Sequence, residues 1–292
     1  MSSLSPAELD NARALIALAL AEDIGEWGDR TSAALIPEDT PARAALVVRT
    51  PGVVAGLQIT RMVFEAVSPT VLFEPILADG HRVETGTILA TVTGPLRPIL
   101  TAERTALNFL QRLSGVASLT RKYVEAVSGT KAQVLDTRKT TPGWRLLEKY
   151  AVRAGGGTNH RMGLYDAILI KDNHIAGLGD PATAVSRAVD LARSFPGNQG
   201  LAVEIEVDTL EQLERALSAK PEIVLLDNMT LEQLRSAVAR RNAASPATRL
   251  EASGGVNLTT IRSIAETGVD RISVGAITHS APALDIALDY LS

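Results

Sequence analysis

The feature that most constrains the fold is a regular alternation of strand and helix patterns after residue 132. The predicted strands are 133–135, 167–170, 201–207, 223–226, 250–252 and 272–274, and the predicted helices between them include 144–153, 181–194, 209–219, 230–241 and 259–267. Such alternation predicts parallel strands, and the apolar character of the strands indicates burial on both faces. We therefore expect an incomplete (β/α) barrel of six or seven units.

One sequence is repeated within this region. Thr209 and Thr230 each begin the sequence Thr-Leu-Glu-Gln-Leu, which is typical of a capping box that opens a helix. Glu206 lies three residues before the first copy, and Asp227 lies three residues before the second. The two acids occupy equivalent places in successive units, so we expect their side chains to be neighbours.

The preceding part of the chain has a different pattern. Short β-branched runs at 44–48, 71–73 and 87–92 predict a small sheet. Residues 79–86 resemble the turns of a lipoyl or biotinyl carrier hairpin, but a carrier needs an exposed lysine and residues 79–92 contain none. We interpret this segment as structural.

Two helices are predicted at either side of that sheet. Ser5 and Glu8 form a predicted capping box before the apolar stretch 11–21, and a second helix begins near Thr101. The second helix carries a polar stripe formed by Arg104, Asn108 and Gln111. The stripe is either a solvated face or a functional one, and the spacing alone leaves both alternatives open.

Composition excludes several classes of protein. The chain has no cysteine, which excludes disulfides, thiolate nucleophiles and sulfur-ligated metals. Its formal net charge of −4 gives no general attraction to nucleic acid or an anionic membrane. No targeting segment or span-length apolar stretch is found, so we expect a cytoplasmic protein.

Polar and glycine-rich sequences follow the predicted strands, at the end of a barrel where active sites lie. Two arginines, Arg138 and Arg161, suit carboxylates, whereas Lys139 and Lys171 suit phosphates or a carboxylate. His160 is either a member of the site or a surface residue. Glu206 and Asp227 form a natural pair for Mg²⁺ bound to a pyrophosphate. The last two strands end in backbone groups suited to a phosphate, at Ser253, Gly254, Gly255 and Gly275.

These motifs, in this order, resemble the signature of the quinolinate phosphoribosyltransferases, also called decarboxylating nicotinate-nucleotide pyrophosphorylases. The resembling segments are 103–111, 136–143, 159–161, 171–174, 225–228 and 251–255, and the similarity runs from about residue 28 to residue 282.

The resemblance implies a type II phosphoribosyltransferase fold: an N-terminal α/β sandwich over 1–114, an incomplete TIM-like α/β barrel over 115–276, and a C-terminal segment, 277–292, that packs back on the sandwich. Within that segment, the apolar residues of 281–291 have the spacing of a helix. It implies a pentosyltransferase that converts quinolinate and phosphoribosyl pyrophosphate, with Mg²⁺, to nicotinate mononucleotide, pyrophosphate and CO2 in NAD biosynthesis. It also implies a homodimer in which Arg104 completes the partner subunit's site.

The implied site residues fall into three groups. Quinolinate would be held by Arg104, Thr137, Arg138, Lys139, His160, Arg161 and Lys171. Phosphoribosyl pyrophosphate would be held by Lys139, Lys171, Glu206, Asp227, Ser253, Gly254, Gly255, Gly275 and Ala276. Mg²⁺ would be held by Glu206 and Asp227. Lys139 fits either substrate.

Three alternatives remain at this point. The closest is a related transferase that acts on another heterocyclic acid without decarboxylation. The others, from a different class, are a non-catalytic phosphate-binding barrel and a carrier-like module.

Overall fold

The computed structural model describes residues 3–179, 181–198 and 200–291, without the side chains of residues 181 and 182. The ends of the predicted domains at Met1 and Ser292 lie outside the described residues. The chain divides into two compact units. Unit 1 comprises the residues up to Arg121, Lys139–Gly156 and the residues from Ile277, and unit 2 comprises Lys122–Arg138 and Gly157–Ala276. The predicted N-terminal domain ended at residue 114, whereas residues 115–121 and 139–156 group with unit 1 in the structure.

The secondary structure follows the chain order of the predicted patterns. The helices are α1 (Pro6–Ile24), α2 (Arg30–Leu35), α3 (Leu57–Val67), α4 (Leu96–Ala126), α5 (Arg145–Ala154), α6 (Asp172–Ala176), α7 (Pro181–Ser194), α8 (Leu210–Ala219), α9 (Leu231–Ala244), α10 (Ile261–Ala265) and α11 (Ala276–His279). The strands are β1 (Pro41–Val48), β2 (Gly52–Val53), β3 (Leu72–Pro75), β4 (Arg82–Val83), β5 (Ile88–Pro95), β6 (Gln133–Leu135), β7 (Ile168–Ile170), β8 (Val203–Val207), β9 (Ile223–Asp227), β10 (Arg249–Ser253), β11 (Arg271–Ser273) and β12 (Ile286–Leu291). In the part of the chain so described, no helix has the length and apolarity that crossing a bilayer requires.

Unit 1 contains an antiparallel sheet in the order β12-β1-β5-β3. Strand β1 is central, and its residues Leu46 and Val48 are buried. Strand β12 pairs with β1, with Leu46 opposite Leu288. The helical spacing of residues 281–291 was therefore misleading: the apolar side chains of β12 serve a strand, because β1 offers an unpaired edge that a helix would leave unsatisfied.

Capping explains where the helices of unit 1 begin. Helix α1 begins as predicted: the Glu8 N–H donates to Ser5 Oγ at 3.3 Å, and the Ser5 N–H donates to Glu8 Oε2 at 2.8 Å. Helix α4 begins at Leu96, five residues before the predicted start. In the carrier-like turn, the Asp79 carboxylate accepts the backbone N–H groups of Gly56 and Leu57 at 2.7 and 3.1 Å, so it caps α3.

Unit 2 contains a parallel sheet in the order β6-β11-β10-β9-β8-β7. An isolated parallel bridge pairs Leu135 with Thr158, so the backbone pairing extends beyond β6 to residue 158. The six strands agree with the predicted ones to within two residues. Both repeated capping boxes form, with the Gln212 N–H on Thr209 Oγ1 at 3.2 Å and the Gln233 N–H on Thr230 Oγ1 at 3.3 Å. The predicted fold class, an α/β protein with an incomplete parallel barrel, is confirmed.

Candidate active site

The carboxyl ends of the parallel strands bring most of the predicted site residues to one side of unit 2. Lys171 follows β7 directly, Asp227 is the last residue of β9, and Ser253 is the last residue of β10. Arg138 follows β6 by three residues, and Gly275 follows β11 by two. We call this side of the sheet the mouth.

The two acids of the repeated units lie on adjacent strands and on the same face. Glu206 pairs with Leu225, and Asp227 lies two residues further along β9, so the pleat directs both side chains to one side of the sheet. Lys171 Nζ lies 2.7 Å from Glu206 Oε2. Asp227 Oδ2 accepts the side-chain N–H of Asn228 at 2.7 Å. This part of the mouth thus places one cation beside two neighbouring carboxylates.

The two predicted arginines of unit 2 lie close enough to affect each other. Burial and the nearby charge of Arg138 lower the pKa of Arg161, and the carboxylates of Glu204 and Asp166 act in the opposite direction. Arg161 Nη1 also donates to the Ala167 carbonyl at 3.4 Å. Two guanidinium groups in each other's field favour a bound anion, because an anion relieves their repulsion.

His160 is not a surface residue. Its side chain is 9% exposed, and its Nε2 lies 3.1 Å from Glu204 Oε2 and 3.4 Å from Glu251 Oε1. Burial lowers the pKa of His160, but hydrogen bonds and charge from the two glutamates outweigh burial and raise it to about 9. On the other side of the ring, Nδ1 accepts the Arg161 N–H at 2.7 Å, which favours the tautomer with its proton on Nε2.

Glu204, Glu251 and Arg271 were not among the predicted site residues. In the structure Glu204 and Glu251 lie in the sheet interior, one layer below the mouth, and Arg271 Nε lies 2.7 Å from Glu251 Oε2. Burial raises the pKa of Glu251, but His160 and Arg271 hold it below its ordinary value. The available signal was the alternation in Arg249-Leu250-Glu251-Ala252-Ser253, which directs Glu251 and Ser253 to the same face.

A cavity of about 240 Å³ adjoins this buried group. His160, Arg161 and Glu204 line it together with Ile223 and Arg249, the first residues of β9 and β10. The cavity therefore extends from the layer below the mouth toward the amino ends of the strands.

The glycines after β10 form a tight loop. Gly254 has φ +92°, and a Cβ there would lie 2.1 Å from Asn228 Oδ1, so only glycine fits. Gly255 has φ +60° and open space around the position of a Cβ. The Asn228 N–H donates to the Ser253 carbonyl at 2.9 Å, which joins this loop to the end of β9.

Two predicted site residues, Arg104 and Lys139, belong to unit 1. Arg104 and Asn108 line a cavity of about 250 Å³ between α1 and α4, together with Trp144. The Lys139 carbonyl accepts the Thr278 hydroxyl at 2.7 Å. Gln111, the third residue of the polar stripe, donates to the Ile286 carbonyl at 2.6 Å, so it contacts β12 and is not simply solvated.

An incomplete parallel barrel whose mouth carries guanidinium, ammonium and carboxylate groups defines an enzyme class that handles anionic substrates. The comparisons specify the family. The quinolinate phosphoribosyl transferase N-terminal domain matches residues 29–114 and its C-terminal domain matches residues 116–289. The chain belongs to the quinolinate phosphoribosyltransferase family.

Individual relatives agree with this assignment. The chain is 46% identical over 290 residues to the nicotinate-nucleotide pyrophosphorylase (carboxylating) of Mycobacterium leprae, which covers 98% of this chain and 99% of the relative. The solved structure of the nicotinate-nucleotide pyrophosphorylase from Francisella tularensis superposes with a TM-score of 0.88 at 41% identity, covering 97% of this chain and 96% of the other. NadC from Streptococcus pyogenes superposes with a TM-score of 0.89 at 40% identity over 100% of both chains.

Proposed function

We propose that this protein is a pentosyltransferase that joins the phosphoribosyl group of phosphoribosyl pyrophosphate to quinolinate and removes one carboxylate as CO2. The products are nicotinate mononucleotide, pyrophosphate and CO2, which is a step of NAD biosynthesis. The observation that carries the proposal is the mutual proximity of Arg138 and Arg161 in a unit whose strand ends also present Glu206 and Asp227. Paired guanidinium groups suit a dicarboxylate, and paired acids suit a metal-bound pyrophosphate.

Quinolinate binding is assigned to the cationic residues of unit 2 at the mouth and in the layer below it. Arg138 and Arg161 would each hold a carboxylate through a fork of N–H groups, and Lys171 would add a point charge. Thr137, directly before Arg138, would contribute hydrogen bonds. His160, which lies below the mouth, would hold the backbone of Arg161 by accepting its N–H.

The reaction needs positioning more than covalent help from the protein. The pyridine nitrogen donates its electron pair to the anomeric carbon, and the bond to pyrophosphate breaks with its electrons leaving on the pyrophosphate oxygen. The ring nitrogen is then positively charged. Loss of the adjacent carboxylate as CO2 leaves the electron pair of the broken C–C bond on the ring carbon, which takes up a proton. Arginines that hold the two carboxylates fix the ring for both steps.

We also propose that Glu206 and Asp227 hold Mg²⁺. Two carboxylates on one face of adjacent strands fit the few protein ligands that this ion takes. When bound, the ion supplies positive charge that stabilises the departing pyrophosphate. Lys171 already contacts Glu206, so Lys171 is placed to bind a phosphate oxygen beside that carboxylate.

The 5-phosphate of the ribose is assigned to the loops after the last two strands. The positive φ angles of Gly254 and Gly255 are typical of loops whose backbone N–H groups bind an anion, and such N–H groups would hold the phosphate here. Ser253, Gly275 and Ala276 would complete this group. Lys139 would serve either substrate.

A homodimer would give Arg104 a function. We propose that Arg104 enters the partner subunit's site, where it binds quinolinate, and that the enzyme works in the cytoplasm. Mixing Arg104→Ala protein with Arg138→Ala protein tests the first part, because a shared site would regain activity in one of the two sites of each mixed dimer. No recovery after subunit exchange would contradict it.

Release of labelled CO2 from carboxyl-labelled quinolinate tests the function itself. We expect release that depends on both phosphoribosyl pyrophosphate and Mg²⁺, and none from Glu206→Gln protein. Consumption of phosphoribosyl pyrophosphate with nicotinate and not with quinolinate would instead indicate a non-decarboxylating transferase.

A further inference from the structure

A buried polar network lies directly beneath the mouth. Three of its four members lie on strands of the parallel sheet, namely β8, β10 and β11. His160, Glu204, Glu251 and Arg271 have side chains between 0 and 11% exposed, and each lies within 3.4 Å of another member. Two carboxylates face one guanidinium and one imidazole. Arg271 offsets one of the two negative charges, and the Nε2–H of His160 lies within reach of both carboxylates.

Three of the four members of the network lie next to a predicted site residue. Glu204 lies two residues before Glu206 on the same face of β8, and Glu251 lies two residues before Ser253 on the same face of β10. His160 directly precedes Arg161 and accepts its N–H at 2.7 Å. Displacement of the network would therefore displace the mouth.

Asp136 extends the same arrangement to a further segment. Its side chain is fully buried, and its carboxylate accepts the His160 N–H at 2.8 Å and the Asn159 side-chain N–H at 2.6 Å. Asp136 lies directly before Thr137 and two residues before Arg138. The backbone that carries Arg161 is thus hydrogen-bonded to the segment that carries Arg138.

We infer that Glu204 and Glu251 are positioning residues, which hold His160 and through it fix Arg161 at the distance from Arg138 that a dicarboxylate requires. The inference rests on the proposed function. Neither glutamate needs to touch substrate. Their role is to fix the imidazole from Nε2, while Nδ1 and the Asp136 carboxylate fix the backbone of residues 160 and 161.

This arrangement makes the network specific to one substrate. Phosphoribosyl pyrophosphate is assigned to Glu206, Asp227 and the glycine loops, whereas Arg161 is assigned to quinolinate. Loosening His160 should therefore weaken quinolinate binding more than phosphoribosyl pyrophosphate binding. A general loss of packing would affect both substrates alike.

Steady-state kinetics of Glu204→Gln and Glu251→Gln test the inference, because glutamine keeps the size and removes the charge. We expect the KM for quinolinate to rise about tenfold and the KM for phosphoribosyl pyrophosphate to change less than about twofold. In the double variant Glu204→Gln/His160→Gln, the KM for quinolinate should be no higher than in His160→Gln, since both changes break one contact.

Glu8→Gln is a matched control. Glu8 is also a buried carboxylate paired with an arginine, since Arg153 Nη2 lies 2.9 Å from Glu8 Oε1, but both residues belong to unit 1 and neither is a member of the network. We expect this variant to lose thermal stability without changing the ratio of the two KM values.

The outcomes are separable. If the wild-type protein releases no CO2 from quinolinate, the proposed function is wrong. If the wild type is active and Glu204→Gln and Glu251→Gln leave the KM ratio unchanged, or shift it no more than Glu8→Gln does, the positioning role is wrong. A stoichiometric divalent ion found in the purified protein and lost in Glu204→Gln would also overturn it, because His160, Glu204 and Glu251 would then be metal ligands. Should Glu204→Gln not fold, Glu251→Gln and His160→Gln give the same comparison.

Discussion

The antiparallel sheet of unit 1 and the parallel sheet of unit 2 differ in what they bury. In unit 1, β1 and β5 bury Leu46 and Leu89 completely, and the ion pair between Arg49 and Asp289 lies at the margin with both side chains about 40% exposed. In unit 2, the sheet interior contains Glu204, Glu251 and Arg271.

The difference separates stability from function. Burial of a leucine stabilises a fold by about 1.5 to 3 kcal/mol, whereas a buried ion pair contributes little or costs free energy. The parallel sheet therefore accepts an energetic penalty beneath the residues that bind anions, and the antiparallel sheet does not. Changes in the parallel sheet should alter substrate binding, and changes in the antiparallel sheet should alter stability alone.

The largest expected effect is on stability, from Leu46→Ala in β1. Leu46 is fully buried, so truncation should lower the free energy of unfolding by roughly 2 to 5 kcal/mol. Chemical denaturation measures this loss. The kcat and both KM values of the folded protein should remain those of the wild type, and a selective rise in one KM would break the division between the sheets.

The next effect concerns the mouth. Arg138→Ala should lower kcat/KM for quinolinate by roughly 100-fold, because a charge-assisted fork to a carboxylate is lost. Arg138→Lys, which keeps the charge and loses the fork, should lose roughly tenfold. Equal values for the two variants would show that charge alone matters, and an unchanged KM for quinolinate in Arg138→Ala would remove this residue from the site.

A smaller effect is expected from Gly254→Ala. The added Cβ would meet Asn228 Oδ1 at 2.1 Å, on a backbone with φ +92°, so we expect a loss of roughly 1 to 3 kcal/mol and a higher KM for phosphoribosyl pyrophosphate. Gly255→Ala is the matched control, because φ is also positive there but space is open. If thermal unfolding shows equal losses for both, contact with Asn228 is unimportant.

The smallest effect is on the pH dependence of stability. Two effects oppose each other at His160: the glutamates raise its pKa from 6.5 to about 9, whereas protonation of Nδ1 breaks the hydrogen bond from the Arg161 N–H. Where the raised pKa prevails, protonation stabilises the fold fully below pH 6.5, and this contribution disappears as the pH rises through 9. The melting temperature of the wild type should fall toward that of His160→Gln between pH 6.5 and 9.5, by roughly a few degrees. A constant difference would mean that His160 stays neutral, with its Nδ1 accepting the Arg161 N–H throughout.

Local signals in the sequence predicted much of the fold. The boxes at Thr209 and Thr230 involve residues three apart, and both formed as predicted. The parallel strands were found because each is a short apolar run between helices. From the same pattern, adjacency of Glu206 and Asp227 followed, because successive units place equivalent residues on adjacent strands.

Local sequence signals could not predict which distant strands pair, or how deeply a polar side chain is buried. Strand β12 was mistaken for a helix, since only its pairing with β1, about 240 residues away, distinguishes the two. The alternation of side chains along a strand predicts which face of the sheet Glu204 and Glu251 lie on, but not how far below the mouth they lie. Their buried contacts with His160 could therefore not be predicted.

The pairing of β12 with β1 has a consequence for biosynthesis. A ribosome makes β1 early and β12 only after all of unit 2 has emerged, so the first sheet to be translated is the last to be completed. Until then β1 presents an open edge, to which an extended segment of another nascent chain can add. The enzyme is therefore most exposed to aggregation while it is still being synthesised.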